Sequence, residues 1–275
     1  MLTSRKSSVE VTRAMNVHVV VPDLLWSPEA EHGAAPGERR DALERLLARG
    51  RRSMHPGVGL EAWLLGRFGV GKQQDWPAAP YSLAADGGAP ESDWWLRADP
   101  VHIRVGRDSP SLADTAAFDL ARDEAQALVA SLNAYFAPDN LVFHPTRPDR
   151  WYVRCVRPSA IATTPTADAR GRPLETLLPQ GADAPRWHAV LNEVQMLLHE
   201  HPVNDAREAR GALPVNSVWL WGGGTLVKPA RTPYACVLSG DPVARGLALA
   251  AGARHEPVPG STADRVRPRA RSSRG

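Results

Sequence analysis

The order of apolar and polar residues along the chain predicts a mixture of helices and strands. Apolar residues recur three and four positions apart where a helix buries one face, whereas β-branched or alternating runs are typical of strands. The predicted helices cover 38–52, 59–69, 119–136, 185–201 and 241–253. The predicted strands cover 15–26, 94–107, 141–145, 150–156, 215–224 and 232–240, with a short strand at 255–260.

Local signals place the ends of two of these helices. Asp119 is suited to be the N-cap of the helix 119–136, which carries acidic residues in its first turn. Pro185 follows Asp183 at a first-turn position of the next long helix, and Pro202 ends that helix. The inward positions expected for the first helix are Leu128, Leu132, Tyr135 and Phe136.

Two further segments shape the expected organisation. The β-branched run 15–26 predicts a buried strand that gives way to a loop at Pro22 and Asp23, and strand ends of this kind often carry chemistry in α/β proteins. Prolines and glycines crowd 71–93, so this stretch is interpreted as a linker or mobile loop beside a domain boundary.

Composition favours an ordinary soluble protein. The 275 residues are 43% hydrophobic and 23% charged, enough for one large domain or two modest ones. The sequence has neither an apolar run of about 18 residues nor a signal-peptide core in its first fifteen residues, so we expect a cytoplasmic protein without a membrane span. Cys155 and Cys236 lie far apart and are interpreted as buried thiols rather than as a disulfide, zinc or redox motif.

Positive charge is concentrated at the C-terminus. Residues 265–275 carry five arginines and no acid, and the whole chain has a formal net charge of +3, so residues 1–264 sum to 3 − 5 = −2. This distribution does not indicate a folded nucleic-acid-binding surface. We expect a solvated, disordered tail, with weak contact to nucleic acid or anionic lipid as the alternative.

Three segments together resemble a known family. The stretches 163–181, 201–224 and 245–264, which contain TTPTADARGRPLETLLPQG, HPVNDAREARGALPVNSVWLWGGG and RGLALAAGARHEPVPGSTAD, resemble in order and spacing the cofactor-independent phosphoglycerate mutases, particularly their archaeal-type branch. The sequence is also similar to short proteobacterial proteins of the RpfE regulatory type. The resemblance covers roughly 15–264.

This resemblance implies a fold and a chemistry. The expected fold is α/β, a truncated alkaline-phosphatase-like core interrupted by a smaller inserted α+β domain. The split core would comprise 15–93 and 202–264, the insertion 94–201, and the disordered ends 1–14 and 265–275. The implied chemistry is phosphoryl transfer by a Ser or Thr nucleophile on two divalent metals, which needs a nest of carboxylates and histidines.

The sequence departs from that chemistry at several points. Asp23 falls where the family has a strand-end metal ligand, but the Asp-Gly continuation is missing from PDLLWSPEA. Ser27 is the nearest counterpart of the nucleophile, and after Asp264 only the arginine tail remains. We therefore expect an incomplete metal and nucleophile site and no cofactor, with Mn²⁺ or Zn²⁺ only if an active site has been rebuilt.

The motif His199-Glu200-His201 is a poor replacement for the missing ligands. Side chains two positions apart on a helix point about 200 degrees from each other, so they cannot hold one ion while the helix persists. We expect His201 to end the helix and to bond nearby backbone.

Basic residues suggest where a small phosphorylated or carboxylated ligand would bind. Arg207 and Arg210 could bind an anion beside His201 and Asn204, because a guanidinium matches phosphate in a bidentate fork. The alternative is a solvated basic loop or ion pairs with Asp205 and Glu208. A second candidate surface is an anion-contacting face of the strand 94–107, which could instead be merely exposed. Its candidate residues are Arg97, His102 and Arg104, with Arg107 beside them.

The three glycines at 222–224 could suggest a phosphate-binding loop, but the sequence around them matches neither of the two common glycine-rich motifs. Neither GxxxxGK[ST] nor GxGxxG is present, and Pro229 and Pro233 oppose a helix directly afterwards. We interpret the glycines as a close approach of backbone at a strand end, and Trp219 and Trp221 as core residues.

Taken together, the sequence predicts a phosphoglycerate-mutase-like protein that is non-catalytic and acts in regulation or in small-anion binding. The alternative is an active mutase or phosphatase with a rebuilt metal site that includes Asp23. A third hypothesis is a nucleic-acid accessory protein that acts through the tail. The pattern identifies neither a protein partner nor an oligomeric state.

Overall fold

A computed structural model describes residues 16–22, 45, 48–105, 110–113, 119–169 and 172–258. The chain divides into two compact units, Met1–Pro56 and Gly57–Gly275. Asp23, Ser27, Arg107, the arginine tail and most of the predicted helix 38–52 lie outside the described residues.

In the first unit, the described part of the predicted buried strand 15–26 is neither a strand nor buried. Residues 16–22 are extended, belong to no strand and are exposed, with Val17 65% accessible. A β-branched run needs a neighbouring strand to satisfy its backbone and cover its side chains. The described residues of this unit supply none, so the prediction of burial is wrong for 16–22.

The second unit contains both helices and strands. Its described helices are α1 (Leu60–Arg67), α2 (Ala78–Ala85), α3 (Arg122–Phe136), α4 (Thr166–Ala169), α5 (Ala184–His199), α6 (Pro202–Ala209) and α7 (Pro242–Ala251). Its described strands are β1 (Trp94–Val101), β2 (Ile103–Val105), β3 (Pro110–Leu112), β4 (Leu141–Arg147), β5 (Arg150–Cys155), β6 (Ser217–Thr225), β7 (Cys236–Leu238) and β8 (Arg254–Glu256). Single 3-10 turns lie at Ala137–Asp139 and Leu174–Thr176.

A four-stranded sheet in the order β4-β5-β1-β6 forms the centre of this unit, and all its neighbours pair antiparallel. Strands β2 and β3 form a separate antiparallel pair, and β7 and β8 a parallel one. Every residue of β1 is buried, because helices cover both faces of the sheet. The mixed α/β class predicted from the sequence is confirmed.

Alternating side chains supply the two faces with separate cores. One face of β1 carries Leu96 and Ala98, which pack with α3 and α5. The opposite face carries Val101 and is packed by α1, α2 and α7, with Trp219 and Trp221 of β6 in the same cluster. The prediction that both tryptophans lie in the core is confirmed.

Several local predictions are confirmed and others are corrected. The strands β4 and β5 pair as a hairpin, and α5 and α7 lie where periodicity placed them. Helix α3 begins at Arg122 instead of Asp119, because the Glu124 carboxylate accepts a hydrogen bond from the Ala121 backbone N–H, 2.9 Å away. Tyr135 is 45% exposed, whereas the other predicted inward residues of α3 are buried.

The predicted linker at 71–93 contains a buried helix. Seven of the eight residues of α2 are buried, and Tyr81 is completely so. Pro80 is tolerated in this helix because first-turn N–H groups need no partner within the helix. The segment therefore belongs to the packed unit instead of separating two domains.

Strand pairing also crosses the predicted domain boundaries. Strand β1 was assigned to the insertion 94–201 and β6 to the split core, yet they are direct neighbours in one sheet. The predicted divisions at 93/94 and 201/202 therefore do not follow the sheet. Among the described residues, no helix combines the length and apolar character needed to cross a bilayer.

Helices α2 and α7 meet at an unusually close backbone contact. A Cβ at Gly246 of α7 would lie 1.9 Å from the Tyr81 carbonyl oxygen of α2, so only glycine fits. A Cβ added to Gly66 in α1 would have no other atom within 4 Å, and the φ of Gly66 is negative. The two helical glycines thus differ only in their surroundings.

We expect Gly246→Ala to lower the free energy of unfolding by about 1–3 kcal/mol, because two packed backbones must move apart. Gly66→Ala should be neutral or stabilising by up to about 1 kcal/mol, since alanine is the better helix former. Urea unfolding followed by circular dichroism measures both. Equal effects of the two substitutions would contradict the close contact.

Candidate functional site

A cleft of about 260 Å³ lies on the α1–α2 side of the sheet. Its walls come from the start of α1, the loop before α2, the segment 163–168 and the end of β6. Its polar lining consists of Glu61, Asp75, Thr163 and Asp168. Its apolar lining includes Val58, Trp76, Pro165 and Trp221. Carboxylates on apolar and aromatic walls are a combination that suits ligand binding.

Asp75 fastens the loop before α2 to the sheet. Its carboxylate accepts hydrogen bonds from the Trp76 backbone N–H at 2.8 Å, from the Gly223 backbone N–H at 3.2 Å and from the Thr163 hydroxyl. Thr163 in turn accepts from the Gly222 backbone N–H at 2.8 Å. Burial raises the pKa of Asp75, although these hydrogen bonds act to lower it. Three hydrogen bonds therefore hold the Asp75 carboxylate in place.

The glycine triplet at 222–224 allows this approach. Gly222 has φ +73°, and a Cβ on Gly224 would lie 2.5 Å from the Pro77 side chain. A Cβ on Gly223 would lie 2.7 Å from the ring of Trp94. The prediction that the glycines permit a close backbone approach is confirmed.

Glu61 lies at the second position of α1 and is only 8% exposed. Burial raises the pKa of Glu61 to about 7, and the negative charges of Asp241 and Asp168 raise it further. Its own backbone N–H and the more distant Arg97 act in the opposite direction. Glu61 therefore changes charge near neutral pH.

Arg97 and Asp99 form a buried ion pair, and both contact Trp221, which lines the cleft. Two positions apart on β1, they share one face of the sheet, and Arg97 Nη2 lies 2.5 Å from Asp99 Oδ1. The guanidinium lies over the rings of Tyr152 and Trp221, its two cross-strand neighbours, at 5.4 and 4.9 Å from their centroids. Asp99 Oδ2 accepts from Trp221 Nε1 at 2.7 Å and from the Thr166 hydroxyl at 3.1 Å. The pair is thus satisfied within the protein.

The predicted anion-binding arginines Arg207 and Arg210 both bind Glu124. Arg207 Nη1 lies 2.6 Å from Glu124 Oε2, and Arg210 Nη2 lies 2.6 Å from Oε1. Arg207 also donates to the carbonyl oxygens of Leu213 and Asp119 at 2.8 and 2.9 Å. The ion-pair alternative holds, although the carboxylate comes from α3 and not from Asp205 or Glu208.

The segment predicted as a basic loop is the helix α6. His201 is its N-cap, and its Nδ1 accepts from the Val203 backbone N–H at 3.2 Å, while Nε2 hydrogen-bonds to the Ser131 hydroxyl at 3.0 Å. Buried Asn204 donates to the carbonyl oxygens of Leu198 and Val215. His201 therefore bonds nearby backbone as expected, but it starts a helix instead of ending one.

The remaining strand candidates are separated from one another. Arg97 is buried, whereas Arg104 on β2 is exposed. His102 Nδ1 donates to the Pro214 carbonyl oxygen at 2.9 Å. The anion-contacting face predicted for 94–107 stays a prediction. Of these three residues, only Arg104 has an exposed side chain.

The described residues do not fit a two-metal centre. Among them, no group of three or more His, Cys, Asp or Glu side chains is arranged to hold an ion. The predicted remnant ligand Asp23 and the candidate nucleophile Ser27 lie in the undescribed part of the chain. Cys155 is buried and Cys236 is half-buried, and both are free thiols.

Sequence reasoning missed the carboxylates that organise these sites. Asp99 could have been found, because a period of two places it on the same strand face as Arg97. Glu61, Asp75 and Glu124 carried no comparable signal, since the cleft around Glu61 and the contacts of Asp75 with Gly223 and of Glu124 with Arg207 join segments that are distant in sequence. For example, the pair of Glu124 and Arg207 is separated by 83 positions.

Comparison with known proteins links the chain to one family. Residues 82–204 match a family model described as 2,3-bisphosphoglycerate-independent phosphoglycerate mutase. A protein of that name from Methanosarcina barkeri is 30% identical over 192 residues, which cover 67% of this chain and 47% of the relative. Its counterpart from Methanosarcina acetivorans is 26% identical over 240 residues, or 82% and 59% of the two chains. The predicted resemblance to the cofactor-independent mutases is confirmed, while that to RpfE-type proteins stays a prediction.

The chain spans about half the length of the curated relatives that it matches. Among solved structures, it is similar to a cofactor-independent phosphoglycerate mutase from Thermoplasma acidophilum, with 19% identity and a TM-score of 0.42 over 76% of this chain and 59% of that one.

The shared carboxylate of Glu124 gives a matched pair of substitutions. The Arg207 side chain is 1% exposed and that of Arg210 is 51% exposed. We expect Arg207→Ala to lower the free energy of unfolding by about 3–5 kcal/mol, because it leaves buried acceptors without a partner. Arg210→Ala should cost less than about 1 kcal/mol. Chemical denaturation measures both, and similar losses would refute the structural role of Arg207.

Proposed function

We propose that this relative of the cofactor-independent phosphoglycerate mutases acts by binding and regulation and does not catalyse phosphoryl transfer. One observation carries the proposal: carboxylates of the protein already form ion pairs with three of the basic side chains expected to meet an anionic substrate. Asp99 neutralises Arg97, and Glu124 binds Arg207 and Arg210. Buried Arg97 and Arg207, held in this way, are not accessible to phosphate, and half-exposed Arg210 shares the negative charge of Glu124, which weakens its attraction for an anion.

The cleft that Trp221 helps to line supports the same proposal. Its polar lining is acidic, with Glu61, Asp75 and Asp168. Phosphoglycerate carries a phosphate and a carboxylate, and like charges in a partly buried cleft repel each other. This cleft is therefore unsuited to a phosphorylated acid.

In this proposal, a small anion that regulates the protein binds at a different surface. Arg104 is exposed on β2, near His102, and a single exposed guanidinium supports weak binding of a phosphorylated or carboxylated ligand. A cytoplasmic location and a role of the RpfE type are part of this proposal.

An active phosphoryl-transfer enzyme is the second candidate. The similarity to named mutases over 67% and 82% of the chain favours it. In that case Asp23 and Ser27 would have to supply the metal ligand and the nucleophile. The undescribed segments would have to complete a set of ligands that the described residues do not provide.

The two candidates differ in turnover. We expect no conversion of 3-phosphoglycerate to 2-phosphoglycerate above background, with or without added Mn²⁺, because the described residues contain no group of three or more His, Cys, Asp or Glu side chains arranged to hold a metal ion. A coupled enolase assay measures this conversion, and metal analysis of the purified protein accompanies it. Asp23→Ala is the control: turnover that needs Mn²⁺ and disappears in Asp23→Ala would establish the enzyme and refute the proposal.

A further inference from the structure

We propose that the cleft lined by Glu61, Asp75, Thr163 and Asp168 binds a small organic cation, an amine that carries an apolar group, with the Glu61 carboxylate as its counter-charge. This inference goes beyond the proposed function, because the cleft could bind an amine whether or not the protein acts on phosphoglycerate. It concerns a ligand of opposite charge to the substrate of the family.

The first step concerns the carboxylate of Glu61. The residue is more than nine-tenths buried and lines the cleft, yet its carboxylate interacts with no hydrogen-bonding group of the described residues other than its own backbone N–H. By contrast, the Asp75 carboxylate accepts hydrogen bonds from Thr163 and from two backbone N–H groups. A buried carboxylate without a cationic or hydrogen-bonding partner is costly, and a ligand that supplies one would relieve that cost.

The second step concerns the direction of that carboxylate. Gly59 forms part of the cleft wall, and a Cβ built there would lie 3.8 Å from Glu61 Oε2 and 3.2 Å from Asp168 Oδ2. Both carboxylates thus face the same wall of the cleft. Asp241 adds negative charge near Glu61, and Arg97 is the opposing positive charge.

The third step separates an organic cation from a metal ion. The cleft has a volume of about 260 Å³, and its three carboxylates belong to Glu61, Asp75 and Asp168. They are not arranged to bind one metal ion, and no other group of three or more His, Cys, Asp or Glu side chains among the described residues is arranged to do so. Apart from Thr163, the rest of the lining is mainly apolar or aromatic, with Val58, Trp76, Pro165 and Trp221. An ammonium group satisfies the carboxylate, while an attached hydrocarbon fills the remaining volume.

The test uses three probes of similar size on the full chain: phenethylamine as the cation, phenethyl alcohol as the neutral analogue and 3-phenylpropanoate as the anion. Isothermal titration calorimetry should show saturable binding of phenethylamine with a Kd of about 1 mM or tighter. The alcohol should bind about tenfold or more weakly, because it lacks the charge. Equal binding of amine and alcohol, or no amine binding at all, would overturn the proposal.

Glu61→Gln keeps the shape of the side chain and removes its charge. We expect this variant to weaken phenethylamine binding by about tenfold or more. Glu208→Gln, at an exposed site on α6, is the matched control and should leave binding unchanged. Unchanged amine affinity in Glu61→Gln would refute the assignment of Glu61.

The wild-type protein provides a second measurement that does not depend on any variant. Because only ionised Glu61 attracts the amine, affinity should rise about tenfold from one pH unit below to one above its pKa of about 7. Asp75 and Asp168 face the cleft and Asp241 and Arg97 lie near Glu61, so a conserved pH midpoint in Glu61→Gln would assign the titration to one of them. That outcome, or an affinity independent of pH, would contradict the proposal.

Discussion

The buried ion pair of Arg97 and Asp99 is the interaction on which the centre of the molecule depends. Both charges lie on β1, between the sheet and the helices that cover it, where transfer from water is costly. The surrounding residues offset that cost: Tyr152 and Trp221 stack on the guanidinium, and Thr166 donates to the carboxylate. Removing either charge would leave the other buried and uncompensated, so the pair fixes which strands and helices meet here.

Close backbone packing is the second constraint, and it follows from having helices on both sides of one sheet. Gly222 and Gly224 allow the loop before α2 to lie against β6, and Gly246 allows α7 to lie against α2. Each contact excludes even a methyl group. The cleft owes its shape to this arrangement, because Asp75 can reach the Gly223 backbone N–H only when the loop lies this close.

Charge connects this architecture to function. The arginines that sequence reasoning assigned to anion binding serve instead as internal partners of Asp99 and Glu124. Among the described residues, no side chain forms a hydrogen bond or ion pair with the Glu61 carboxylate, which lines the cleft. A chain similar in sequence to enzymes named for an anionic substrate thus presents an acidic cleft, which is the physical basis for proposing a binding role and a cationic ligand.

The sequence by itself determined the elements whose signals are short-range. Helix α7 is an example: Asp241 caps it, its side chain accepting from the Ala244 N–H, and Gly252 ends it at φ +71°. The β4–β5 hairpin and the close approach at 222–224 were also predicted. Only the tertiary structure decided that α2 is buried and that Glu61 lines a cleft. These facts depend on contacts between residues far apart in the chain, for which neither periodicity nor local spacing carries a signal.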